Sequence, residues 1–165
     1  MAYKIDVRII IKDHIKTLVN ANTNKPDIRD LFFFLFLPVI VSALLVYEEV
    51  YLKGDFVNSI IGGLSIYVGL SLNFIVLLFE LSSKEIFKQK DRRAVIKETV
   101  SNISVSIFYS ILIIFFSLIT DVKPVKVFGN FCCYFLIVEF IVTLLMILKR
   151  IYVLLTEQLD SEPEK

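Results

Sequence analysis

The sequence predicts an all-α membrane protein: a four-span transmembrane helical bundle, preceded by an amphipathic helix and ending in a fourth helix that outruns the membrane. Three observations predict it. Hydrophobic residues make up 56% of the 165, and the mean hydropathy is +0.74, well above that of a soluble domain. Four apolar runs, at about 31–47, 56–81, 103–120 and 127–148, approach or reach the length a helix needs to cross a bilayer. Lysine and arginine gather in the segments this topology puts on one side.

The 1–26 segment is read as a cytoplasmic amphipathic helix and turn. Val7, Ile11, Ile15 and Leu18 would share one helical face. That face would lie on the membrane surface or against the C-terminal helix. His14, the one histidine, is read as a polar-edge residue. The segment is charged throughout and lacks an early apolar core, so it is not expected to be a cleavable signal. NANTNKPD forms a turn, with Pro26 disfavouring helix at Lys25 and Asp27 suited to cap the next helix.

The first run opens with LFFFLFL and holds Pro38 well inside it. Proline has no N–H for the Phe34 carbonyl, so a kink is expected there. In the second run Ser65, Gly69 and Asn73 recur every four residues, with Gly62 close to the same face. Small residues so spaced let two helices approach closely, or such a face lines a polar path. The basic loop 82–102 is expected to be mostly helical, with Asp91 capping a helix that continues into the third run. There Ser106, Ser110 and Ser117 share a face, with Tyr109 beside it. Asp121, Lys123 and Pro124 turn the chain into the fourth run.

That last run organises the chain. Glu139 is the one acid deep in any apolar run, and Cys132, Leu136, Glu139, Thr143, Met146 and Arg150 make a stripe on one face. Beyond Lys149, the apolar residues Leu148, Ile151, Leu155 and Leu159 keep recurring at three- and four-residue steps. The helix is therefore expected to project past the membrane across 149–165. Its apolar face would pack on Val7, Ile11 and Ile15 or bundle with copies of itself.

Charge sets the orientation. Residues 1–30 hold six lysines and arginines, 82–102 holds six (Lys84, Lys88, Lys90, Arg92, Arg93 and Lys97) and the tail holds Lys149, Arg150 and Lys165. The other two loops hold only Lys53, Lys123 and Lys126. Fifteen against three puts both termini in the cytoplasm.

Little chemistry is on offer. His14 has no second histidine to work with, no glycine-rich phosphate loop occurs, and the spans lack the paired aspartates or serine–lysine sets of intramembrane proteases. Adjacent Cys132 and Cys133 lack the spacing of a metal or redox pair. No enzyme activity, cofactor or metal is expected. An ionised Glu139 at the bilayer centre costs about 2.5 kcal/mol or more, so it should face protein or water. Ser71, Asn73, Tyr109 and Ser110 lie near its depth as hydrogen-bond candidates. With Thr143, Cys132, Asn73, Ser65, Gly69 and Ser110 it forms the candidate intramembrane polar set, which would line a pore if several copies assembled.

The basic residues of 82–102, with Lys149 and Arg150, would meet anionic lipid headgroups. Ile151 and Leu155 would meet a partner. Nucleic acid is not expected, because aromatics are sparse beside the basic run. The sequence thus points to a non-enzymatic membrane subunit that self-associates and anchors or regulates a cytosolic protein, with an oligomeric pore as the alternative. In layout the chain resembles small four-span subunits of bacterial anti-phage systems, in which a compact membrane protein senses envelope disturbance and engages a cytosolic effector. The resemblance is one of topology, and it implies a sensor in antiviral defence at the bacterial inner membrane.

Overall fold

The structure, a computed structural model, describes residues 7–17, 32–83, 90–120 and 122–161, and no strand occurs among them. The helices are α1 (Arg8–Thr17), α2 (Leu37–Tyr47), α3 (Gly54–Ser83), α4 (Lys90–Ile119) and α5 (Lys126–Ser161). Three of them, α3, α4 and α5, are long and apolar enough to cross a membrane. Their 30, 30 and 36 residues give about 45–54 Å of helix at about 1.5 Å per residue, against a hydrocarbon core of about 30 Å.

The first apolar run folds as a shorter helix. A π-helical turn, Phe32–Phe36, leads directly into α2. The irregularity expected at Pro38 takes this form: a wider turn precedes the proline, which lacks the N–H of a regular ladder. Ser42 Oγ donates to the Pro38 carbonyl at 2.6 Å. At the other end Glu49 takes φ 54°, and Val50 N–H and Glu49 N–H return to the Leu45 and Val46 carbonyls. That left-handed Schellman closure stops the helix at Tyr47.

α4 is the central helix. It packs on α3, α5 and α1, while α2 packs on the far flank of α5. One apolar cluster holds Leu52, Val57, Leu64, Ile113 and Leu136. A second holds Leu78, Ile96, Ile103, Ile147 and Leu154. As expected, α4 runs unbroken from the basic segment into the third apolar run.

Two faces differ from the sequence reading. On α1 the inward residue is His14, while Ile11 and Ile15 are exposed, and the helix packs chiefly on α4. On α5 the buried pair is Ile147 and Leu154, whereas Leu148 and Leu155 are exposed. Both faces are turned by about one residue, about 100° on a helix. α1, the first turns of α4 and the final turns of α5 share one end of the bundle. The 48–53 connection and the Lys123–Val125 turn share the other.

Candidate functional site: a polar seam between α4 and α5

The residues most suited to a role form a buried polar line where α4 meets α5. Thr99, Asn102, Ser106, Ser110 and Ser117 stand on one face of α4, Thr120 follows just past its end, and all are almost fully buried. α5 answers with Asn130, Cys133, Glu139 and Thr143. Two contacts set the antiparallel register. Ser117 Oγ meets Cys133 Sγ at 3.4 Å, and Arg150 Nη2 meets Glu98 Oε2 at 3.0 Å. That register sets Ser110 level with Glu139 and Ser106 level with Thr143.

The hydroxyls of α4 turn back on their own helix. Ser106 donates to Ile103 O at 2.8 Å, Ser110 to Ser106 O at 2.9 Å and Ser117 to Ile113 O at 2.7 Å. Small serines that satisfy themselves locally let the two helices approach closely in lipid. The α5 side is different. Glu139 Oε2 and Thr143 Oγ1, one turn apart, are buried with no hydrogen-bond partner among the described residues. The bond expected from Ser71, Asn73, Tyr109 or Ser110 to that oxygen is not formed, although Tyr109 lies within electrostatic reach of Glu139. Tyr67 closes the seam from α3. Its hydroxyl is 2.5 Å from Ser106 Oγ, and its ring stands edge-on to Phe140 with centroids 4.9 Å apart.

Each end of the seam is tied. At the turn end, Asn130 Oδ1 accepts the Leu52 N–H at 2.9 Å while its Nδ2 donates to Lys126 O at 2.8 Å. Tyr134 Oη donates to Val50 O at 3.0 Å. At the α1 end, His14 Nδ1 donates to Asn102 Oδ1 at 2.9 Å. The His14 ring lies edge-on to Phe34, with centroids 5.8 Å apart. Only 4% of His14 is exposed, so the polar-edge reading is corrected. Burial holds its imidazole below the usual value, and the Arg150 charge acts in the same direction against the Asn102 hydrogen bond.

The other sequence-derived candidates disperse. Cys132 is half-buried and its neighbour Cys133 takes the buried place. Ser65, Gly69 and Asn73, with Gly62, point out of the bundle, so they do not join Glu139 in one polar set. Nothing lies within 4 Å of a Cβ built on Gly62 or Gly69. Asn73 edges an apolar groove of about 490 Å³ between α3 and α5, beside Phe74, Leu77, Leu144 and Ile147. Arg150 is half-buried and paired with Glu98, Ile151 packs against the second apolar cluster, and Leu155 is exposed. Arg93, Lys97 and Lys149 are exposed. Lys90 and Arg92 fall in the first turn of α4, while Lys84 and Lys88, like the Asp27 cap, lie outside the described residues.

Sequence reasoning missed the His14–Asn102 pair and the Asn130 tie. One signal was available for Asn102: it continues the Ser110, Ser106 spacing by one more four-residue step. Among the described residues no group of three or more His, Cys, Asp or Glu is placed to hold a metal. A scan of family models, a search of curated proteins and a search of solved structures each find no match to this chain.

Proposed function

We propose that the chain is a non-enzymatic multi-span membrane subunit that self-associates and anchors or regulates a cytosolic protein. In this reading the first apolar run is a fourth crossing and both termini are cytoplasmic, in a bacterial inner membrane. The observation that carries it is the gathering of α1, the basic start of α4 and the projecting end of α5 at one end of the bundle. With Arg93, Lys97, Lys149 and the exposed Tyr152 and Leu155, that end offers charge to anionic headgroups and apolar surface to a protein. Self-association is assigned to the outward face of α3, where Gly62, Ser65, Gly69 and Asn73 leave room for a second helix and supply an amide to bond it. A sensor subunit of an anti-phage system is the role that the topology suggests.

Co-purification tests the reading, comparing the full chain with a version ending after Arg150. Loss of the cytosolic protein with the truncated chain supports it; equal recovery refutes it. Crosslinking of Gly69→Leu in native membranes tests the α3 face. An unchanged oligomer size would remove that face from the proposal.

A second reading, an ion-permeability effector, draws on the unpartnered Glu139 Oε2 and Thr143 Oγ1. These atoms face α4 of their own chain, so conduction along them would run within each copy rather than around a shared axis. Liposome flux that persists in Glu139→Gln would discard it.

A further inference from the structure

We propose that Glu139 and Thr143, with the α4 serines opposite them, form a binding site for one sodium ion within each copy of the chain. Two buried oxygens point to it. Glu139 is 6% exposed and Thr143 is fully buried, and neither Glu139 Oε2 nor Thr143 Oγ1 has a hydrogen-bond partner among the described residues. They stand one turn apart on α5, yet they do not bond each other. Thr143 also departs from the habit of the other helix hydroxyls. Thr99 donates to Val95 O, Ser117 to Ile113 O and Thr156 to Tyr152 O, whereas the Thr143 hydroxyl makes no such bond to its own helix.

The opposite wall decides what fits between them. Ser110 is level with Glu139 and Ser106 with Thr143, and both have committed their protons to α4 carbonyls. What they present to the seam is therefore lone pairs. A carboxylate, a threonine oxygen and serine lone pairs make an oxygen-only donor set, which suits a hard cation and not a soft metal. One carboxylate matches one positive charge; a divalent ion would leave excess charge inside the bilayer, where it is costly. Water bridging the two α5 oxygens would leave the carboxylate charge uncompensated. A proton on Glu139 would neutralise it but leave Thr143 Oγ1 unpaired, since the two oxygens do not reach each other. Sodium answers both groups at once. The ion is held inside one copy and need not pass through it, so the site rests on neither reading above.

Reversible unfolding of the full chain in mixed micelles tests the site, with sodium chloride replacing choline chloride at constant ionic strength and fixed pH. In choline the carboxyl keeps its burial cost, and sodium offsets it. The expected result is a folded-to-unfolded ratio that climbs with sodium and, once the site fills, gains about tenfold for each tenfold of sodium. Thr143→Val keeps the volume and removes the oxygen, so it should weaken sodium binding by about tenfold or more. Glu139→Gln keeps a polar head without the charge and should show no sodium response. A parent chain indifferent to sodium, as water alone in the seam would leave it, would overturn the proposal. So would a sodium response equal to the parent's in either variant, which would place the ion elsewhere. The assay reads binding, so a flux result against the ion-permeability reading leaves this site standing.

Discussion

Replacing Glu139 by leucine is expected to stabilise this protein. Glu139 is 6% exposed and its Oε2 has no partner among the described residues. An unpaired buried polar group costs about 1–3 kcal/mol, and leucine of similar volume removes that penalty. Ser110, level with it, and Ser106, one turn away, lose nothing, because both already donate to their own helix. Leu136 one turn away and Ile113 across the seam provide an apolar setting for the new side chain. The gain should be about 1–3 kcal/mol, read as a shift in the midpoint of reversible unfolding in mixed micelles. Glu139→Gln keeps a buried polar head and should gain much less. A leucine variant less stable than the parent would show that the carboxyl is bonded in the native bundle, and the reasoning would fail. A more stable variant that loses its biological activity would mark Glu139 as retained for something other than folding.

Further expectations follow from the ties at either end. Asn130→Ala removes the acceptor of the buried Leu52 N–H and should cost about 1–3 kcal/mol in the same unfolding measurement. Glu49→Gly relieves a left-handed residue at φ 54° and should raise the midpoint by about 0.5–1 kcal/mol. Stability should also depend on His14. Its native pKa is lowered from the free value of 6.5, so the unfolded chain binds more protons once the pH falls. His14 therefore contributes fully above about pH 6.5, and the contribution is lost as the pH falls from there toward the native value. A titration of the unfolding midpoint should show that loss in the parent and not in His14→Gln.

Much of the architecture was legible because long apolar runs have few alternatives in a bilayer. Length and hydropathy alone mark α3, α4 and α5, and the Pro38 irregularity appears where the missing N–H requires one. The serine stripe of α4 was also readable, since Ser106, Ser110 and Ser117 are small polar residues in helical phase and only a packed helix makes use of them. What composition left open was which apolar face packs. Lipid is as apolar as a neighbouring helix, so Leu148 and Leu155 look as suited to burial as Ile147 and Leu154. Cys132 and Cys133 are equally interchangeable on paper.

The sequence by itself determined that these segments are helices, that α3, α4 and α5 are long and apolar enough to cross a membrane, and where an acid would sit among them; it also counted 31–47 as a crossing, and that run folds as a shorter apolar helix. Only the tertiary structure decided the rotation of each helix and the partners of its polar atoms. The pairing of His14 with Asn102 spans 88 positions, and that of Asn130 with Leu52 spans 78. No local periodicity encodes such distances. They follow from the antiparallel packing of α4 and α5 and the position of α1 against them, and that packing leaves Glu139 buried in the seam.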